Sequence, residues 1–179
     1  MSEEKKAAVA RYHRKTLLDA ADRLLMQYGY DGMNMNMLAK EAGYSKATVY
    51  VYLSSKDEIV RLLCIERLKL LRKEFSVILK NEVSVADKLD EVRAVLDEFA
   101  VEDKTYFDFI CGCTFADELS DASDSEKELS ALINGIFADL SVLSSPDDLK
   151  RRWYAYYGKI KTEKMFACSD GARKRNEPY

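Results

Sequence analysis

Apolar positions recur along this chain at helical spacing, with short polar breaks between the runs. From about Val9 to Tyr28, Leu17, Ala21, Leu24, Leu25 and Tyr28 fall on one face, and Gly29 stops the helix. The residues before it, to about position 10, read as a polar arm, either frayed or forming the first turn of that helix. Asp31-Gly32 signals a turn. Met35, Leu38, Ala39 and Ala42 then mark a short helix that Asn34 caps and Gly43 ends in a left-handed conformation. Ser45 caps a second short helix running to about Leu53, with Val49 and Leu53 inward. A helix, a tight Gly-containing turn and a second helix form the helix-turn-helix pattern.

Ser55 with Glu58 three residues later has the form of a capping box. The helix it opens runs to about Lys80, with Ile59, Leu62, Leu63, Leu70, Leu71 and Ile78 apolar. Asn81-Glu82 is a break. A helix from Ser84 or Val85 to about Val101 turns Leu89, Val92, Val95, Leu96 and Phe99 inward. Another run spans Tyr106 to about Leu119. A further helix spans about Glu126 to Leu143. Ser144-Ser145-Pro146 with two acids after it starts a last helix reaching about Ala167. The tail from Ser169 reads as disordered. The pattern is all-α, with about nine helices and no internal repeat.

Composition changes this picture little. The net charge is -3, with +1 over residues 1–60 and -4 over the rest. Charge alone does not point to nucleic acid, although Arg11, Arg14, Lys15, Lys46 and Lys56 can converge into a local patch. No apolar run is long enough to span a bilayer, and the start, MSEEKKAA, lacks an apolar signal core, which points to a cytoplasmic protein. The acids from Asp97 to Glu128 face only Lys104 and Lys127. They read as a solvated face or, less often, as a lure for a cationic effector.

Candidate chemistry is sparse. His13 is the single histidine, with no carboxylate or nucleophile at recognisable spacing; it reads as exposed or phosphate-facing, and argues against a catalytic triad. Cys111 and Cys113, two apart on a helix, diverge by about 200° and would not grip one ion. With Cys64 and Cys168 they read as buried thiols, so no metal and no cofactor is expected. An enzyme using Cys111 or Cys113 as nucleophile is a competing reading, but the expectation is no enzyme.

The second short helix offers Lys46, Ala47, Thr48 and Tyr50 at its exposed N-terminal side. Lys reaches guanine acceptors, while Ala and the Thr methyl suit a thymine methyl. The hydroxyls of Thr48, Tyr50 and Tyr52 suit phosphates. The surroundings sharpen this. From Lys15 to Ile59 the chain carries LLDAADRLL followed by GY, then Leu-Ala-x-x-Ala-Gly-x-Ser-Lys, Thr-Val-Tyr-x-Tyr and Ser-Lys-Asp-Glu. In order and spacing these pieces resemble the DNA-binding domain of the TetR family of transcriptional regulators. Ala47, Val51, Leu53 and Asn34 depart from the residues usual there.

The resemblance implies an N-terminal three-helix DNA-binding domain, residues 1–55, and a C-terminal helical ligand-binding and dimerisation domain, residues 56–179. It implies a dimeric, ligand-responsive repressor on a palindromic double-stranded operator, with no membrane partner. DNA contacts are expected from Asn34, Asn36, Ser45, Lys46, Ala47, Thr48, Tyr50, Tyr52 and Lys56, the last by resemblance a phosphate donor. An aromatic and sulfur-lined segment (Tyr106, Phe107, Phe109, Ile110, Cys113, Phe115) can wall a pocket for a small-molecule effector or form ordinary core. Leu132, Ile136, Phe137, Trp153, Tyr156, Tyr157 and Ile160 are candidates for a homodimer interface. A helical scaffold that keeps the fold without sequence-specific DNA binding is the alternative, and an activator rather than a repressor stays open.

Overall fold

The computed structural model describes residues 2–112, 122–145, 147–149, 151–153, 155 and 158. Among these the regular structure is entirely helical. In chain order the helices are α1 (Glu3–Gly32), α2 (Met35–Ala42), α3 (Lys46–Tyr52), α4 (Lys56–Lys80), α5 (Val85–Glu102), α6 (Lys104–Gly112) and α7 (Asp124–Leu140). Helical residues resume at 147, after a Ser145 hydroxyl accepts the Asp148 N–H at 3.2 Å, the cap expected there. The chain forms two compact units, Met1–Asn134 and Gly135–Tyr179.

In the first unit α1 packs against α2, α3, α4 and α6, and α4 also packs against α5 and α6. The inward stripe of α1 is Leu17, Leu18, Ala20, Ala21, Leu24 and Leu25. It meets Leu38, Val49, Leu53 and Met33, all buried, and the first turns of α4 through Ile59, Val60 and Leu63. Farther along α4, Leu68, Leu71, Phe75 and Ile78 are buried, as are Val92 and Phe99 on α5. Phe99 and Phe107 meet edge to face at 6.0 Å. In the second unit Ile136, Phe137, Leu140 and Leu149 are buried, and Trp153 stands edge-on to Phe137 at 6.1 Å.

Several boundaries and faces differ from the sequence expectation. α1 begins at Glu3, not Val9, because the Ser2 hydroxyl accepts the Lys5 N–H and Glu3 and Glu4 favour the positive end of the helix dipole. Its first two turns remain exposed. The helical trace bends at Gly29, whose φ of 70° and ψ of 178° suit only glycine, and one more turn carries it to Gly32. Tyr28 and Leu70, placed on apolar faces by their spacing, are 49% and 55% exposed. α4 and α5 end where the pattern put them, within a residue or two. Of the run expected to reach Leu119, the described part is α6.

Candidate nucleic-acid interface

The α2–turn–α3 unit is assembled by its own caps. Asn34 Oδ1 accepts the N–H groups of Asn36 at 3.0 Å and Met37 at 3.1 Å. At the other end Gly43 adopts φ 73°, ψ 26°, and the turn closes as the Tyr44 N–H donates to the Ala39 carbonyl (2.9 Å) and the Gly43 N–H to the Lys40 carbonyl (3.3 Å). This paired arrangement satisfies two carbonyls the helix end would leave open. One residue on, Ser45 Oγ accepts the Thr48 N–H at 3.0 Å and starts α3.

Packing then orients α3. Val49 and Leu53 are fully buried beneath it. Lys46, Ala47, Tyr50 and Val51 face outward, Val51 being 76% exposed, while Thr48 and Tyr52 are half-buried. The expected contact residues therefore divide. Asn34, Asn36, Ser45, Lys46, Ala47 and Tyr50 lie on the exposed side. The Thr48 hydroxyl is within 2.8 Å of the Ser45 hydroxyl.

Tyr52 belongs to a cluster around His13, which is a correction to the exposed or phosphate-facing role expected of that histidine. His13 on α1 is half-buried. Its Nδ1 lies 2.6 Å from the Tyr44 hydroxyl, and its ring is 5.4 Å from Tyr52 and 5.5 Å from Tyr44. The histidine thus ties α1 to the turn and to the end of α3. No sequence signal joins His13 to Tyr44 across 31 positions.

Lys56 differs too. Its ammonium turns inward, donating to the Tyr30 carbonyl at 2.9 Å and the Met33 carbonyl at 3.4 Å, and lies 4.0 Å from the centre of the Tyr30 ring. Two of its three N–H bonds are thereby committed to holding the α1–α2 connection against the start of α4. The same site holds the Tyr30 hydroxyl, which donates to Asp57. That bond first, then burial and the Asp57 charge, pushes the Tyr30 phenol up to about 12.

The expected basic patch does not gather whole. Arg14 pairs with Glu58 at 3.3 Å and Lys15 with Asp19 at 3.1 Å. Arg11 and Lys46 stand exposed with no acidic partner among the described residues. Glu58 also accepts from the Ser54 N–H and hydroxyl, both at 2.6 Å, while the Ser55 hydroxyl accepts the Glu58 N–H at 3.0 Å. The capping box is present, with its return bond made one residue earlier than the simple form. Burial opposes ionisation of Glu58, but these bonds and the Arg14 charge outweigh it and hold the carboxyl below its ordinary range.

The aromatic segment expected to wall a pocket is core where it is described. Tyr106, Phe107 and Ile110 are fully buried, and Phe109 packs 6.0 Å from the Tyr30 ring. Cys113 and Phe115 lie outside the described residues. A polar cleft of about 460 Å³ opens instead between α1, α4 and the start of α7, lined by Arg14, Glu58, Arg61 and Ser125 among others, and by none of the expected pocket residues. The acids read as a lure for a cation are met by cations of the chain itself: Asp103 by Arg67, Asp108 by Lys104, Glu126 by Arg61 and Glu128 by Lys69.

Of the candidates for a dimer interface, Leu132, Ile136 and Phe137 are buried within the chain and Trp153 is half-buried, so the described ones offer little free apolar area. Tyr156, Tyr157 and Ile160 lie outside the described residues. Cys64 and Cys111 are buried, the former with its thiol 3.9 Å from the Tyr106 carbonyl. Among the described residues no cluster of His, Cys, Asp and Glu could hold a metal ion, and no helix is long and apolar enough to cross a membrane.

A capped helix-turn-helix with its second helix outermost is the arrangement that, in proteins that bind DNA, presents a helix to the major groove. Residues 17–63 match the model of the bacterial regulatory proteins of the tetR family. The match takes in α2, α3 and the flanking parts of α1 and α4, so the likeness to that family is carried by the helix-turn-helix part of the chain. Solved structures share its fold. The TetR-family regulator PfmR from Thermus thermophilus aligns with a TM-score of 0.53 at 20% identity, over 75% of this chain and 71% of its own. A candidate fatty acid metabolism regulator from Clostridium perfringens gives 0.54 at 17%, over 92% and 89%. AibR, solved with isovaleryl coenzyme A and operator DNA, gives 0.53 at 14%, over 73% and 69%. No curated protein is similar enough in sequence to match.

Proposed function

We propose that this chain acts as a dimeric repressor, its two α3 helices entering successive major grooves of a palindromic operator about 34 Å apart. The observation that carries the reading is the outward placement of Lys46, Ala47 and Tyr50 on a helix whose opposite side is locked down by Val49 and Leu53. Asn34, Thr48, Tyr50 and Tyr52 are assigned to phosphates, and Asn36, Lys46 and Ala47 to base edges, while Ser45 lies on the same face and caps the helix. DNA binding is assigned to residues 1–55, and regulation and dimerisation to 56–179. The likeness to AibR supports a small-molecule effector that favours one separation of the two recognition helices, by as much as its affinities for the two states differ. The reading is of a cytoplasmic regulator and not of an enzyme.

The test is fluorescence anisotropy with a duplex from the region upstream of the chain's own gene, titrated from about 50 to about 200 mM salt. Several phosphate contacts together should lose roughly a thousandfold in affinity or more across that range. Retention at low salt with a steep slope supports the reading. A duplex ignored at the lowest salt leaves the helical scaffold in its place.

A further inference from the structure

The outermost line of α3 is apolar. At about 100° per residue, Ala47 and Val51 lie within about 40° of each other, and each is about 160° round the helix from the buried Val49. Lys46 and Tyr50 flank that line on one side, Thr48 on the other. No amide, carboxylate or guanidinium side chain occurs anywhere in Lys46–Tyr52, so the central line has no group able to form the paired hydrogen bonds that read adenine or guanine. Val51 is 76% exposed. Folding does not account for it: the side chain packs on little, and Val is a poorer helix former than Ala, which would serve a solvent-facing position better.

We propose that Ala47 and Val51 form a methyl-reading surface, so that each operator half-site is specified by thymine at the position beneath Val51. The inference rests on the DNA-binding reading above and deepens it. A thymine 5-methyl is the one apolar group a base pair presents in the major groove. Burying it against the Val51 methyls removes both from water, and no polar group on either side loses its hydrogen bonds. Lys46, with no acidic partner among the described residues, is then left to supply phosphate attraction or a guanine contact at the flank. The selectivity of the helix centre is steric and hydrophobic.

The test uses the full chain. A randomised duplex library is passed over it, and an enriched duplex is resynthesised with deoxyuridine replacing thymidine one position at a time, which deletes the methyl and leaves every hydrogen-bonding group. The expected result is one position per half-site where the replacement weakens binding about fourfold, the value for one buried methyl-sized group. Val51→Ala is expected to bind the thymidine and deoxyuridine duplexes equally there. It keeps the fold, since the side chain is exposed and Ala favours the helix. Salt-sensitive binding that is indifferent to deoxyuridine at every position, or a Val51→Ala protein that keeps the full loss, overturns this inference alone. A library from which nothing is retained at low salt overturns the DNA-binding reading with it.

Discussion

One nitrogen of Arg67 spans both oxygens of Asp22: Nη2 on α4 lies 3.1 and 3.0 Å from Oδ1 and Oδ2 on α1. The Nε of the same guanidinium is 3.0 Å from Asp103, at the α5–α6 junction, and the Tyr106 hydroxyl of α6 donates to Asp22. Burial disfavours the guanidinium charge, but Asp22 and Asp103 more than offset it and raise its affinity for the proton. Four side chains from three helices and a junction thus share one half-buried charge cluster, with Arg67 its only cation among these.

Arg67→Met should therefore cost about 2–3 kcal/mol, because it leaves two carboxylates facing each other without a cation while keeping much of the side chain's packing. The figure is held below that of a fully buried pair, since both Arg67 and Asp22 keep close to a third of their surface. A lowered urea midpoint at unchanged m-value is the expected readout. Loss below about 0.5 kcal/mol would show that water replaces the guanidinium readily.

The two buried or bonded phenols predict how the protein fails in alkali. Tyr30 is pushed up to about 12 by the bond it donates to Asp57, by burial and by the Asp57 charge. Tyr106 is pushed higher still, by burial first and then by its bond to Asp22. The unfolded chain releases these protons near the ordinary 10.0, whereas the folded chain holds them. Their contribution is therefore complete below about pH 10 and is lost as pH climbs toward about 12 for Tyr30. Tyr30→Phe, which has no proton to lose, should show a shallower change of urea midpoint between about pH 9 and about pH 11, where the unfolded phenol titrates and the folded one does not. Parallel profiles in both proteins would remove Tyr30 from the account.

Gly29 and Gly43 should differ in what they tolerate. A Cβ would meet nothing within 4 Å at either, so backbone conformation alone sets the cost. Gly43 sits in the ordinary left-handed region, where Asn is accepted, so Gly43→Asn should cost well under about 1 kcal/mol and Gly43→Ala about 1. Gly29, at ψ 178°, occupies a region nearly closed to other residues, and Gly29→Ala should cost about 1–3 kcal/mol. Thermal midpoints of the three variants give the order; Gly29→Ala melting with the parent would contradict it.

Two lysines should separate folding from binding. Lys46→Ala is expected to flatten the salt dependence of DNA binding by about one unit of slope and leave the thermal midpoint within error. Lys56→Ala should lower the midpoint, by about 1–2 kcal/mol of stability, because the Tyr30 and Met33 carbonyls lose a charged donor. If Lys56→Ala keeps its midpoint and flattens the slope, its ammonium leaves those carbonyls to meet phosphate.

The amino-acid sequence by itself determined where the helices start and stop around the DNA-binding unit. Asn34, Gly43, Ser45 and Ser55 could be read directly, because a cap acts on N–H and carbonyl groups within a few residues of it. It also determined which side of α3 turns inward, since Val49 and Leu53 are one helical turn apart. Only the tertiary structure decided which long side chains meet. Arg67 and Asp22 are 45 positions apart, and Lys56 reaches back 26 to the Tyr30 carbonyl. Periodicity marks an apolar face without saying what covers it, so Tyr28 and Leu70 end exposed while the aromatic residues of α6 become core. The physical reason is range: capping is a local exchange of hydrogen bonds, whereas a flexible charged or aromatic side chain takes its partner from whatever the packed helices bring within a few ångströms.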